Sequence, residues 1–394
     1  MNLFPINQPT LALSISEEAL CLVKVKRSWR TTRLQAVNSV SLPSGVIRLS
    51  SAKPNIENME TFVEQLRILV EPFNKPISVA ISLPDLCART SVFDFSTFPT
   101  KKSEQTALLN WRFQQDLKLD TAQSRLAYDV YVPTSLANPS KQENSENVQV
   151  LGTAIRHEIA EQYERACIDA NLIPVSVSIS GLDIFDLYQP TIQEMLEIED
   201  RRSMNTSSGA MFLFMSHWGF TFLGFNDGCP RFVRTKAIHI RPDVSQEEWN
   251  SSPSAIGPQE VIPQNEEKPL SQELGSQDPS HSRDSTSLYP SYTVTKVEKE
   301  VLATFQYYLE TFFQDGPASF PVNLFVVSDL EHGHTLLPSS EHIQQTVTAS
   351  GLSASQIQVN QLSSTRHFNS RDTRSMQETS FWSALPGYAS LMVA

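Results

Sequence analysis

The chain has 394 residues, 40% of them hydrophobic, which is enough for two or three domains with ordinary cores and excludes a wholly disordered protein. A formal charge of −12 and a calculated pI near 5.2 exclude a broad nucleic-acid surface, because binding a phosphate backbone needs concentrated positive charge. The basic run Lys24, Lys26, Arg27, Arg30 and Arg33 reads first as a solvated strand face, with protein or anionic-membrane contact as its alternative.

Residues 9–25 alternate apolar and polar about a bend at 16–18, the pattern of an opening β-hairpin, and 33–43 supply a next strand. A helix is expected over 56–70, where Met59, Phe62, Val63, Leu66, Leu69 and Val70 recur on one face and Pro72 discourages continuation. A β-branched strand follows at 77–83, ending at Pro84. Ser103 is placed to cap a helix running to Leu117, with Ala107, Leu108 and Trp111 on its apolar face. Residues 128–132 read as a strand and 133–148 as a polar loop; 150–154 and 174–179 read as strands flanking a helix at 156–170, with another helix at 181–197. Alternation of strands and helices makes this half α/β.

The second half opens on strands at 210–216 and 221–226, joined near Trp218 and Gly219, and continues at 231–236. Ser, Pro, Gln, Asn and Glu dominate 242–290, where too little apolar surface is available to offset ordering entropy, so disorder is expected there, with a short partner-binding helix as the alternative. Order resumes in a helix at 297–313 through Val301, Leu302, Phe305, Tyr308, Leu309 and Phe312. Strands are expected at 323–328, at 357–360 and, terminally, at 389–393. Cys21, Cys87, Cys167 and Cys229 lie far apart and read as free thiols in a reducing compartment. The first residues lack an export pattern and no stretch approaches a membrane span, so the expected location is cytoplasmic.

Five stretches carry a resemblance: AISLPDLCARTSVFDFSTFP at 80–99, SEQTALLNWRFQQDLKLD at 103–120, LGTAIRHEIAEQYERACIDANLIPVSVSISGLDIFDLY at 151–188, EKEVLATFQYYLETFF at 298–313, and the terminal FWSALPGYASLMVA. In order and spacing they resemble the PilM-like branch of the actin-like fold, the cytoplasmic proteins of bacterial type IV pilus assembly. The resemblance covers almost the whole chain apart from 242–290. It implies a two-lobed, ribonuclease H-like α/β fold: a first lobe at 1–205 holding a small inserted subdomain at about 83–150, and a second lobe at 206–394 interrupted at about 242–290.

Where that family carries Asp-Ile-Gly at the first strand turn, this sequence has Ser14, Ile15 and Ser16. No carboxylate replaces the acid that would organise Mg²⁺, and Glu17 and Glu18 lie beyond the turn. The second phosphate segment reads Met215, Ser216, His217 with Gly219 following, and the adenosine-contacting segment, from Ser328 to Gly333, keeps one glycine. With only 13 glycines in the chain, relocated phosphate-cradling loops have little material. The expectation is therefore no catalytic residues, no cofactor and no metal, with ATP/Mg²⁺ binding as the alternative. Asp329 and Glu331 beside His332 or His334 read as an exposed turn rather than a closed ligand set.

The resemblance further implies an adaptor that captures the N-terminal cytoplasmic peptide of a PilN-like inner-membrane protein and links it to a pilus motor ATPase or platform proteins, peripheral to the inner membrane through those partners. Within the insertion, Phe93, Phe95, Phe98, Trp111 and Phe113 are candidate groove walls or anchors, and Arg89 and Arg112 candidate partners for a peptide acid. The competing reading makes the aromatics the insertion's own core and the arginines solvated surface. Three other functions remain open: a type II secretion scaffold, an ATP-dependent actin-like switch, and a self-assembling filament. A type II component ordinarily continues into a transmembrane segment and a periplasmic domain, and this sequence reaches Ala394 without either.

Overall fold

A computed structural model describes residues 8–28, 32–73, 75–131, 148–203, 210–226, 228–238, 291–312, 321–329, 336–349, 356–362 and 378–393. The chain opens with the expected hairpin, β1 (Leu11–Ile15) and β2 (Ala19–Arg27), followed by β3 (Thr32–Ser41). Helix α1 (Met59–Val70) starts where Asn58 accepts a hydrogen bond from the Thr61 amide at 3.1 Å, and buries Phe62, Val63, Leu66, Leu69 and Val70. Strand β4 (Ile77–Leu83) covers the expected range, and β8 (Leu172–Ile179) lies beside it after an excursion through the insertion. The sheet order is β3-β2-β1-β4-β8, with β1, β4 and β8 parallel and β2 and β3 antiparallel to their neighbours.

The excursion comprises β5 (Arg89–Phe95), α2 (Lys102–Leu117), β6 (Ser124–Tyr131) and β7 (Val148–Arg156), which form an antiparallel sheet ordered β5-β7-β6. Helix α3 (His157–Asp169) then returns the chain to β8. Ser103 is not the cap of α2. The helix begins at Lys102, with Lys101 extended before it and contributing no side-chain cap, so Ser103 sits in the first turn.

Helix α4 (Ser180–Ser203) carries the chain into a second five-stranded sheet made of β9 (Ala210–Ser216), β10 (Gly219–Asn226), β11 (Cys229–Ala237), β12 (Pro321–Ser328) and β13 (Gln356–Gln361). Its order, β11-β10-β9-β12-β13, repeats the first sheet strand for strand, again with an antiparallel hairpin pair on one side and parallel partners on the other. Helices α5 (Ser291–Phe312) and α6 (Ser340–Ala349) belong to this half, α6 at a place with no sequence-based expectation. Residues 242–290 and 133–147, expected as disorder and loop, lie outside the described residues.

The terminal strand expected at 389–393 is instead part of helix α7 (Glu378–Val393). Ala384, Leu385, Tyr388, Ala389 and Leu391 are buried together, a helical spacing that a five-residue window hides and that Pro386 and Gly387 disguise. Gly387 lies against Val23, Ser14 and Ala12, so α7 packs on the first sheet although it ends the chain.

Four cores follow. α1 and α3 cover one face of the first sheet through Leu13, Leu22, Phe62, Leu66, Ile81 and Tyr163. α5 and α6 cover one face of the second through Met211, Phe222, Val301 and Phe305. The inner faces of both sheets share a core with α4 and α7, where Val23, Phe185, Tyr188, Phe212 and Leu385 meet. The insertion has a small core of its own.

Candidate functional site

The residues singled out in the insertion divide into buried and exposed sets. Phe93 and Phe113 are fully buried with ring centroids 5.0 Å apart, edge to face, and Gly152 admits them because a Cβ there would lie 2.9 Å from the Phe113 ring. Phe95 is also buried and packs on half-buried Phe98 at 5.1 Å, which reaches Tyr128 at 6.4 Å. Arg112 stacks its guanidinium 5.4 Å from the Phe93 centroid and 5.8 Å from that of Phe95, and pairs with Asp116 at 3.0 Å. These five side chains form one structural cluster, and its burial leaves Trp111, 53% exposed on the outer face of α2, as the aromatic presented to solvent. Arg89 is exposed at the start of β5.

The segments corresponding to the nucleotide turns sit at the ends of equivalent strands in the two sheets. At the β1–β2 turn the Ser16 amide donates to the Ala19 carbonyl at 3.0 Å, and the Ala19 amide donates to Ser16 Oγ at 3.0 Å, so Ser16 is bonded within the turn. Glu17 accepts from the Leu49 amide at 3.1 Å, and Ser14 is buried facing α7 rather than open for a ligand. Across the cleft, Ser216 donates to Asp329 Oδ2 at 2.8 Å. His217 Nδ1 lies 3.6 Å from Glu18 Oε2, joining the β9–β10 turn to the β1–β2 turn.

Deeper in, Asp85 follows β4 and is fully buried. Its Oδ2 accepts from the Gly181 amide and its Oδ1 from Thr221 Oγ1, both at 2.9 Å. Thr221 lies on β10 and is itself 3.1 Å from Thr235 on β11, so a carboxylate of the first sheet is tied to the second. Burial pushes the Asp85 carboxyl up to about 6 despite the hydrogen bonds from Gly181 and Thr221. Burial likewise lifts Asp329 to about 6, against the pull of His217 and Ser216. Asp183, at the start of α4, is carried to about 8, chiefly by burial, with Asp186 and Asp85 adding and the Ser178 hydrogen bond opposing. Sequence reasoning missed Asp85, Asp183 and Thr221. Thr221 was visible as a polar residue inside the apolar run GFTFLGF, but nothing in the sequence paired it with Asp85, 136 residues away.

No protein-family model and no curated protein matches the chain. A chain of a PilM-PilN type IV pilus biogenesis complex aligns in structure with a TM-score of 0.58 and 15% identity, over 98% of this chain and 96% of that one. The fold is actin-like. A Bacteroides thetaiotaomicron protein with an actin-like ATPase fold and unknown function aligns at TM-score 0.43 and 8% identity, covering 96% of this chain and 99% of that one. The cytoplasmic domain of EpsL, an inner-membrane component of the Vibrio cholerae type II secretion system, aligns at TM-score 0.35 and 9% identity, over 87% and 94%. In this actin-like frame the two five-stranded sheets are the centres of the two lobes, and the β5-β7-β6 sheet is an insertion in the first. Among the described residues no group of three metal-ligating side chains converges, and no helix is long and apolar enough to cross a membrane.

Proposed function

We propose that the chain is a non-catalytic scaffold of type IV pilus assembly that binds the N-terminal cytoplasmic peptide of a PilN-like inner-membrane protein and couples that membrane complex to a motor ATPase or platform proteins. The observation that carries this reading is the near full-length structural likeness to a PilM-PilN complex chain, insertion included. The scaffold works from the cytoplasm, held at the inner membrane by its partners. Its first lobe comprises about residues 1–205, with an insertion that begins at about 83 and whose sheet includes all of β7, and its second about 206–394, interrupted at about 242–290, from which α7 packs back onto the first sheet.

The binding chemistry is noncovalent. Trp111 is the exposed anchor for an apolar peptide side chain, Arg89 pairs with a peptide acid, and the cluster of Phe93, Phe95, Phe98, Arg112 and Phe113 holds α2 rigid beneath them. A first turn whose Ser16 hydroxyl is spent on Ala19, and a hydrogen bond between Asp85 and Thr221 that joins the two sheets' halves, support action without a nucleotide. Titration calorimetry of the full chain with the cognate PilN-like N-terminal peptide, with and without ATP/Mg²⁺, tests the proposal. Saturable binding under both conditions is expected. Absence of peptide binding alongside saturable ATP/Mg²⁺ binding would overturn it in favour of a nucleotide-responsive switch.

A further inference from the structure

Besides the core that the two sheets share and the Arg27 contact to the Leu391 carbonyl, two polar contacts that cross between the lobes bear on closure. At the mouth, Glu18 of the β1–β2 turn faces His217 of the β9–β10 turn at 3.6 Å. His217 also stands within electrostatic reach of Asp329, whose Oδ2 is held by Ser216 and whose amide donates to the Met215 carbonyl at 3.1 Å. His217 is thus flanked by one acid from each lobe. At the base, Asp85 of the first lobe accepts from Thr221 of the second at 2.9 Å, while Gly181 fixes its other oxygen. A Cβ on Gly181 would stand 2.4 Å from Asp85 Oδ1, so the carboxylate is seated in the one backbone position that admits it.

We propose that these two contacts form an interlobe clasp: Glu18, His217 and Asp329 at the mouth and Asp85 with Thr221 at the base hold the lobes closed with protein groups alone, where a two-lobed protein closed by a ligand would bridge the same turns through that ligand. Three features support it. The two turns end equivalent strands, β1 and β9, in sheets of identical order, and Glu18 and His217 bring them within 3.6 Å of each other. Ser16 spends its hydroxyl on its own turn, donating to the Ala19 carbonyl and accepting from the Ala19 amide, so it is not offered to an anion. Both ends of the base contact are buried, Asp85 at 3% and Thr221 at 1% exposure, so opening the lobes breaks the hydrogen bond between them and uncovers a carboxylate and a hydroxyl. Closure is then the resting state, and the surface presented to partners stays the same whether or not nucleotide is present. The inference concerns the cleft and holds whichever partner the insertion binds.

The test is a distance measurement between spin labels on the full chain at Lys53→Cys in the first lobe and Gln345→Cys on α6 in the second, both exposed, with the four native cysteines buried and unlabelled. The expected result is a single narrow distribution that ATP/Mg²⁺ leaves unchanged. Thr221→Val, which keeps side-chain shape while removing the hydroxyl, and His217→Ala at the half-exposed mouth should each raise a longer-distance population about tenfold. A broad wild-type distribution that narrows on adding ATP/Mg²⁺, or wild-type distances in both variants, would overturn the clasp. Peptide titration on the same labelled protein reads the adaptor proposal separately: loss of peptide binding with a narrow distribution sinks the adaptor and leaves the clasp standing.

Discussion

Asp183 shows how one buried residue contributes to the pH response of the chain. Its carboxyl sits at about 8 in the folded protein, against about 4 in an unfolded chain. Between those values the native state holds a proton that the unfolded state has released, so its stabilising effect is present at low pH and is lost as pH rises through about 8. Asp85, Asp186 and Asp329, each carried to about 6 by burial, act in the same direction over a narrower window. Thermal melts should therefore show the melting temperature falling from about pH 5 to about pH 8, and Asp183→Asn, whose amide never ionises, should flatten that slope. A wild-type melting temperature that climbs over this range would contradict the burial argument. A steric counterpart lies at Gly224 on β10, where an added Cβ would stand 2.2 Å from the Tyr308 ring. Gly224→Ala should cost about 1–3 kcal/mol in urea unfolding, since a fully buried tyrosine ring has nowhere to go.

Among the elements, α7 shows most clearly where local pattern and packing part company. The segment ALPGYASLMV contains a proline and a glycine, both poor helix formers, and four of its last five residues are apolar and could fill a strand. A strand there needs a sheet edge to pair with, whereas a helix can lie across the inner faces of both sheets, and the shared core takes the helix. The two conformations predict different burial. Truncating Leu385, fully buried against the first lobe, should cost about 2–5 kcal/mol, whereas truncating Met392, 39% exposed one residue past the buried Leu391, should change stability by about 0.5 kcal/mol or less. Equal losses at the two positions in denaturant titration would count against α7. Helix α1 is the opposite case: its apolar face and its stop before Pro72 were legible, and only the first three residues of the expected range fell outside it, among them Asn58, which the structure makes the cap.

For the whole molecule, the prediction of most consequence separates anchoring from stability within the insertion. Trp111→Ala should weaken PilN-like peptide binding by about 2 kcal/mol or more in calorimetry while leaving the melting temperature unchanged, because a half-exposed hot-spot ring contributes little to the fold. Phe113→Ala, in the sealed insertion core, should destabilise by about 3–5 kcal/mol and weaken binding only through loss of structure. The candidate list was legible in the sequence as a set of aromatics. Which of them face solvent was not, because α2 carries Trp111 and Phe113 two positions apart on opposite sides of a helix whose orientation is fixed by β5, β6 and β7.

Sequence by itself determined the local and the periodic. It placed the opening hairpin, α1, β4, the helix after β8 and the apolar pairing of β9 with β10, since each is written in neighbouring residues at a spacing of two or 3.6. It also determined what the turns lack, because the absence of an acid and a glycine at Ser14 to Ser16 is a matter of composition at a position. Only the tertiary structure decided the long-range pairings: α7 against the first sheet, Asp85 against Thr221, Glu18 against His217. Those contacts join residues more than a hundred positions apart, and their energies come from burial and desolvation that exist only once both sheets are assembled around the same core.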